Sequence, residues 1–99
     1  MTFMVRYRVR GAEIATNETL VRAVYAQLAE VQPDGLRYAT FQLADDPASF
    51  VHLAAIDGDG PGPLPGLPAF QAFVRDVRER CEEPPATADL QVVGSYRLI

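Results

Sequence analysis

The sequence predicts an α+β fold of the ferredoxin-like type, with its elements in the order β-α-β-β-α-β within a single domain of residues 1–99. Three observations support this prediction. The first segment alternates apolar and polar residues, two later segments space their apolar residues as helices do, and an apolar hairpin lies between them. This order gives a four-stranded antiparallel sheet with two helices on one face.

The first strand is predicted over Phe3 to Val9, where apolar residues alternate with arginines in the period of a half-buried strand. A helix is then expected to begin near Thr16 or Asn17, because either side chain can cap the free N–H groups of a first turn. The apolar stripe of this helix stops before Pro33. The helix is therefore expected to cover the sheet.

The segment "LRYATFQLADDPASFVHLAAI" predicts two strands joined by the turn "ADDPA". The second of these strands is apolar on both sides, although two helices can cover only one side. A second copy of the chain is therefore expected to pack against the other side and form a symmetric homodimer through the sheet face. One side carries Phe50, Ala54 and Ile56, and the other carries Val51, Leu53 and Ala55.

The loop "DGDGPGPLPG" connects this strand to the second helix, and either folds over the mouth of a cavity or is disordered. The second helix is predicted to begin at Pro68 and to reach Cys81, with its charged residues forming a solvated face. "EEPPA" is expected to end it, and "DLQVVGSYRLI" is predicted as the last strand. The helix's apolar positions are Phe70, Phe73, Val74, Val77 and Cys81.

The composition excludes several classes of function. The net charge of −4 and the scattered basic residues argue against a nucleic-acid partner, which requires a basic face. The single cysteine excludes an internal disulfide and a multi-cysteine metal site, and fits a reducing cytoplasm. The sequence shows no signal peptide and no apolar run near 18 residues, so no membrane partner is expected and the protein is predicted to be cytoplasmic.

Over nearly its whole length the chain resembles the dimeric α/β-barrel superfamily, and within it the antibiotic-biosynthesis-monooxygenase-like proteins. The resemblance rests on the element order and on the segments "SFVHLA", "LPAFQAFVRDVRERC" and "VGSYR". It implies a homodimer with a small apolar cavity between sheet and helices in each subunit. It also implies oxygenase chemistry without a metal, a flavin or any other cofactor, in which the substrate itself donates an electron to oxygen.

The chain departs from two branches of that superfamily. Haem-degrading relatives use a tryptophan and a cavity histidine, whereas this sequence has no tryptophan and carries its one histidine on a strand. Many quinol-oxidising relatives carry a histidine just before the second helix, where this chain has "GLPAF". Haem degradation is therefore not expected.

The candidate catalytic residue is His52, the only histidine of the chain. A neutral imidazole in an apolar cavity can take a phenolic proton, since its pKa lies near the pH at which a general base operates. The alternative is a buried histidine that bonds a backbone carbonyl or a dimer mate.

Tyrosines on three predicted strands could bring their hydroxyl groups to one ligand, or could simply pack in the core or at an edge. Two hypotheses therefore remain: a cofactor-independent monooxygenase acting on a small aromatic or quinol-type compound, and a non-catalytic ligand-binding or stress-related dimer with a packed cavity. The candidate substrate-binding residues are Tyr7, Tyr38, Phe50, Phe70, Phe73 and Tyr96.

Overall fold

In the computed structural model, which describes residues 1–98, the strands follow the predicted order, and the second helical region is divided into two helices. Short 3-10 turns at Gly11–Glu13 and Leu64–Gly66 precede the helical regions. Within residues 1–98, no helix has the length and apolar character needed to cross a membrane. The elements are β1 (Thr2–Val9), α1 (Ile14–Val31), β2 (Leu36–Leu43), β3 (Asp46–Ile56), α2 (Pro68–Arg75), α3 (Val77–Arg80) and β4 (Cys81–Leu90).

The four strands form one antiparallel sheet in the order β2-β3-β1-β4, which confirms the predicted ferredoxin-like fold. Residues directly opposite each other on neighbouring strands share a face of the sheet. Tyr7 lies opposite Phe50, and both pack in one core with Val24 of α1 and Phe73 of α2. We call this side the covered face and the opposite side the open face.

Helix α1 begins at Ile14, so the prediction that Thr16 or Asn17 caps it was wrong. Glu13 occupies the capping position and makes no side-chain capping bond. Asn17 lies instead within the helix and is fully buried. Its position four residues before Val21 puts it on the buried stripe, because residues i and i+4 share a helix face.

The apolar spacing had predicted one unbroken helix as far as Cys81, but the structure interrupts this helical region. Helix α2 ends at Arg75, Asp76 leaves helical geometry with φ −122° and ψ 21°, and α3 adds one further turn. Cys81 is buried, but it is the first residue of β4 and pairs with Val9. After the break, α3 forms one helical turn with Val77 packed against the core. The apolar spacing in the sequence therefore gave no sign of the break.

The last strand is Cys81–Leu90, so the prediction of a strand over "DLQVVGSYRLI" was wrong. "EEPPA" lies inside this strand and does not end the helix. The register shifts between Arg6, which pairs with Ala86, and Arg8, which pairs with Glu83. This bulge places Pro84 and Pro85 together opposite Tyr7, which lies between Arg6 and Arg8 on β1. Because β4 is at the edge of the sheet, the missing N–H groups of the prolines are tolerated. Ile99, the end of the predicted strand, lies outside the described residues.

From Val51 to Ala55, β3 contributes only apolar side chains to the open face, as its two-sided pattern predicted, while the exposed Arg6 and Arg37 lie opposite Val51 and Ala55 on the neighbouring strands. Val51 and Leu53 are half-buried there, and Phe41 on the neighbouring strand remains 46% exposed. Part of the C-terminal segment borders this face, since Leu98 lines a cleft of about 250 Å³ together with Ala39 and Leu53.

The glycine-proline loop folds back onto the core, with Leu64 and Leu67 buried. Gly62 has a positive φ of 75°, and a Cβ at this position would lie 2.9 Å from Cγ2 of Ile56. The backbone N–H of Ala69 donates to Oε1 of Gln27 at 2.9 Å, so a side chain of α1 satisfies a free donor in the first turn of α2. The loop is thus a wall of the core.

Candidate functional site

His52 lies at the centre of the covered face. It belongs to β3, pairs with Val5 on one side and Thr40 on the other, and is 4% exposed. The same register places Tyr7 and Tyr38 on this face, opposite Phe50 and Ala54. Sequence alone could not determine this, because a slip of one residue exchanges the two faces of a strand.

Both ring nitrogens of His52 contact hydroxyl groups. Nε2 lies 2.8 Å from the Tyr7 hydroxyl, while Nδ1 lies 2.7 Å from the Tyr38 hydroxyl and 3.0 Å from Oγ1 of Thr40. The expected alternative, a histidine bonded to a backbone carbonyl, is therefore not the arrangement found. The imidazole instead joins hydroxyl groups from β1 and β2.

A buried branch of the network leads from Tyr7 to Arg80. Nδ2 of Asn17 donates to the Tyr7 hydroxyl at 2.9 Å, and Nε of Arg80 donates to Oδ1 of Asn17 at 3.2 Å. Arg80 also donates to the carbonyl oxygen of Phe73 at 2.8 Å and lies over its ring, 5.6 Å from the centroid. Arg80 was expected on a solvated face, but it is buried and shares no ion pair with any described residue.

These donors determine the direction of the bonds. A guanidinium group only donates, so Arg80 holds the amide oxygen of Asn17 and turns its NH₂ group toward Tyr7. The Tyr7 oxygen accepts that bond, which leaves its own proton to donate to Nε2 of His52. The neutral tautomer with the proton on Nδ1 satisfies this arrangement, because it leaves no proton unpaired at the deeply buried Tyr7.

A second branch leads outward from Nδ1. Thr40 contacts His52 and also lies 2.7 Å from the hydroxyl of Tyr25 on α1. The ring of Tyr25 stacks on that of Tyr38, with centroids 5.3 Å apart. Tyr25 and Thr40 are half-buried, so this branch reaches toward the surface.

Burial keeps His52, Tyr7 and Tyr38 uncharged at neutral pH. Desolvation lowers the pKa of His52 to about 4, because a buried imidazolium loses its hydration. Desolvation raises the pKa of both Tyr7 and Tyr38 far above the ordinary tyrosine value, although the Asn17 hydrogen bond partly opposes this at Tyr7. His52 is thus neutral and has hydroxyl groups at both nitrogens, but the expectation that its pKa lies near neutral pH was wrong, because burial makes the imidazole a weaker base.

A cavity of about 130 Å³ lies between the covered face and the second helical region. Its walls are apolar apart from His52 and the two tyrosines that contact it. The His52 ring stacks on Phe73 with centroids 5.3 Å apart, so the base stands against an aromatic wall. The lining residues are Phe3, Val5, Tyr7, Tyr38, His52, Leu64, Phe70, Phe73, Val74, Val77 and Pro85.

The structure brings five of the seven candidate residues together at this cavity: His52, Tyr7, Tyr38, Phe70 and Phe73. Phe50 packs behind Tyr7, with ring centroids 5.5 Å apart, and lines a different cleft. Tyr96 is 79% exposed, lies after the end of β4 and is absent from the cavity wall, so its predicted place on a strand beside the other tyrosines was wrong.

Sequence reasoning missed the residues that extend the network from His52 and Tyr7. Asn17 looked like a cap, although its spacing from Val21 gave a signal that it faces inward. Arg80 follows Val77 by three residues and therefore shares its helix face. Thr40 follows Tyr38 by two residues and therefore shares its sheet face. Among residues 1–98, no cluster of three or more His, Cys, Asp or Glu side chains could hold a metal ion.

No family model and no curated protein matches the chain. Solved structures do match it. A protein from Nitrosomonas europaea, provisionally named an antibiotic biosynthesis monooxygenase, superposes with a TM-score of 0.75 at 17% identity, over 94% of this chain and 98% of the other. Rv0793 from Mycobacterium tuberculosis gives 0.73 at 19% identity, over 95% of each chain.

A mutant form of SnoaB, a cofactor-independent oxygenase from Streptomyces nogalater, gives a TM-score of 0.63 at 22% identity, over 95% of this chain and 96% of that chain. The fold of this chain is therefore that of the antibiotic biosynthesis monooxygenases, as the sequence resemblance implied. At these identities the likeness concerns the fold, and any activity must be argued from the cavity.

Proposed function

We propose that the protein is a cofactor-independent monooxygenase that oxidises a single-ring phenol or hydroquinone with molecular oxygen. The observation that carries this proposal is His52, a neutral imidazole whose two nitrogens contact hydroxyl groups at the wall of a small apolar cavity. The shared fold with SnoaB, a cofactor-independent oxygenase, supports the same class of reaction.

The cavity size favours one aromatic ring. Its volume of about 130 Å³ is close to that of engineered cavities, about 150 Å³, that accept benzene. The faces of Phe70 and Phe73, with centroids 6.2 Å apart, offer an aromatic wall to such a ring. A polycyclic ligand would require Leu64 or Phe70 to move.

The hydroxyl groups suggest how the substrate is activated. The Tyr7 oxygen accepts the phenolic proton while its own proton passes to Nε2 of His52, 2.8 Å away. The Nδ1 proton is shared between the oxygens of Tyr38 and Thr40, so Tyr38 keeps its own proton to donate to an oxygen atom of the ligand. The resulting phenolate is electron-rich and lies among largely apolar side chains.

The overall reaction balances without another reductant. A phenol with a free ring position and one O₂ give a quinone and one water: one oxygen atom joins the ring carbon and the other leaves as water. The two hydrogens of that water come from the phenolic O–H and from the C–H bond that is replaced. The substrate supplies all four electrons, so the phenolic proton removed at the start is needed again when water forms.

We also propose a symmetric homodimer through the open face. The apolar Leu53 and the exposed Phe41 support this, because two helices leave that side of the sheet without a covering layer. In such a dimer the cavities lie on the far sides of the joined sheets. Each subunit then carries its own reaction site.

The test is oxygen uptake with single-ring phenols and hydroquinones, with naphthalene diols as the size control. We expect one O₂ consumed per phenol oxidised, without added cofactor, and little uptake with the bicyclic compounds. His52→Gln and Tyr7→Phe should each lower the rate by about 100-fold, within the range general-base groups contribute, while Tyr96→Phe should have no effect.

The non-catalytic hypothesis uses the same cavity. Its supporting observation is that Phe70 and Phe73 already fill much of the space under the second helical region. Under this hypothesis phenol binds, seen as a shift in melting temperature, yet no oxygen is consumed and His52→Gln changes only binding. That combination of results would overturn the oxygenase proposal.

A further inference from the structure

The hydrogen-bonded network around His52 has two ends of different chemistry. The inner end consists of the Asn17 amide and the Arg80 guanidinium, both buried. Neither group readily accepts one proton while releasing another. The outer end consists of the hydroxyl groups of Thr40 and Tyr25, and each hydroxyl can both accept and donate.

The outer end opens on the surface. Thr40 and Tyr25 line a cleft of about 200 Å³ between α1 and β2, which shares no lining residue with the apolar cavity. The charged side chains of Glu18 and Arg22 line the same cleft and form an ion pair at 3.3 Å. The cavity and the cleft are thus joined by hydrogen-bonded groups, with His52 between them.

A proton delivered to His52 needs such a connection. The partners of the imidazole are three hydroxyl groups, and among residues 1–98 no carboxylate bonds to it. An imidazolium at 4% exposure would therefore be an unpaired buried charge, which is costly. His52 is better suited to pass a proton onward than to store it.

We propose that Thr40 and Tyr25 form a proton path between His52 and the surface cleft. The proposal rests on the proposed oxygenase function and explains how its substrate proton leaves and returns. For each proton transferred, Tyr7 accepts the substrate proton and gives its own proton to Nε2 of His52. The proton on Nδ1 then passes to Oγ1 of Thr40, and the proton of Thr40 passes to Tyr25. Tyr25 releases its proton to water in the cleft, so each group keeps its charge and His52 changes tautomer.

The test measures the exchange of the His52 imidazole proton with water by ¹⁵N-resolved NMR, and requires no turnover. Thr40→Val has nearly the shape of threonine but lacks the hydroxyl, and Tyr25→Phe keeps the ring that stacks on Tyr38. We expect each variant to slow the exchange by at least about 10-fold, because the connection through Thr40 and Tyr25 is broken at a hydrogen-bonded step.

Matched controls separate the path from general effects of substitution. Thr87→Val and Tyr96→Phe change exposed residues of the same types and should leave the exchange rate unchanged. Thr40→Ser restores the hydroxyl and should restore most of the rate. Equal exchange rates in wild type, Thr40→Val and Tyr25→Phe would overturn the path. If Thr40→Val fails to fold, the half-buried Tyr25→Phe decides alone.

The failure of the path and the failure of the oxygenase proposal give different results. Slowed exchange in the two variants, together with no oxygen uptake on any phenol, supports the path and rejects the oxygenase. Oxygen uptake with unchanged exchange retains the oxygenase and rejects the path. If both hold, the same variants should also lower the turnover rate while leaving the affinity for the phenol unchanged.

Discussion

His52 and Leu53 are neighbours in the sequence, but they lie on opposite faces of the sheet in contrasting surroundings. His52 faces the helices, where hydroxyl groups from β1 and β2 contact both of its nitrogens. Leu53 lies on the open face among apolar side chains that no helix covers. The enclosed face thus holds a polar network, while the apolar Val51, Leu53 and Ala55 of β3 lie on the uncovered face. Full hydrogen bonding makes the first tolerable, and a partner would make the second stable.

The largest effect is expected from a substitution that places a charged side chain on the open face. Leu53→Asp should abolish the proposed dimer, weakening association by more than about 100-fold, because a carboxylate would lose its hydration among the apolar side chains of β3 and of its counterpart. Sedimentation velocity at micromolar concentration measures the change. Val31→Asp makes the same kind of change on the exposed end of α1 and should leave the dimer intact. A wild-type monomer, or a Leu53→Asp dimer, would contradict the proposed interface.

The enclosed face predicts a pH dependence of stability. The pKa of His52 is lowered from 6.5 to about 4 in the folded state, so between these values the unfolded chain binds a proton that the folded chain does not. Stability is therefore complete above pH 6.5 and is lost as the pH falls toward 4. This one group should reduce the free energy of unfolding by about 3 kcal/mol between pH 7 and pH 4.

Urea unfolding at several pH values measures that loss, and the carboxylates that titrate in the same range must be subtracted. His52→Gln provides the reference, because glutamine offers a donor and an acceptor to the hydroxyls but does not titrate. If His52 is neutral in the folded state, the free energy of unfolding of the wild type should fall more steeply with decreasing pH than that of His52→Gln. Identical slopes would therefore refute the assignment.

A third substitution tests the inner end of the network. Asn17→Ala removes the bond to Tyr7 and leaves Nε of the buried Arg80 without its acceptor. We expect a loss of about 2–4 kcal/mol in the free energy of unfolding. Thr16→Ala, one residue away and exposed, should cost less than about 0.5 kcal/mol. Equal losses in the two variants would mean that the network contributes little to stability.

The smallest expected effect concerns the loop behind the covered face. Gly62→Ala combines a positive φ with a Cβ that would lie 2.9 Å from Ile56, whereas Gly58→Ala has a similar φ of 80° and nothing within 4 Å. Both should be destabilised by about 1 kcal/mol from the backbone alone. Gly62→Ala should lose about 1 kcal/mol more, because Ile56 must move. Chemical denaturation of the pair isolates that steric part.

The first three strands could be predicted because their patterns are local, whereas the face that His52 occupies could not. Alternation identified β1, and the two-sided apolar pattern of β3 identified the open face. The tyrosines were recognised as candidates, but their faces depended on strand register, which pairing between distant segments decides. Phe70 and Phe73 followed from helical spacing and do line the cavity.

The C-terminal third was predicted poorly for a different reason. The pair Pro84–Pro85 is typical of a chain that leaves regular structure, yet at a bulge on an edge strand it is allowed. The alternating run after Leu90 is typical of a strand, yet β1 has already paired with Cys81–Leu90. Neither the strand through Pro84–Pro85 nor the absence of a strand after Leu90 can be predicted from the local sequence, since each depends on which segment pairs with β1. Asn17 and Arg80 were missed similarly, because they meet across 63 positions of the chain.

The same two prolines have a consequence for how the protein behaves at high concentration. An edge strand with a continuous row of free amide groups is a template onto which another chain can add, and repeated addition leads to fibrils. In β4 the bulge and the two prolines, which have no N–H group, interrupt that row near the middle of the strand. Growth by strand addition is thereby disfavoured at this edge.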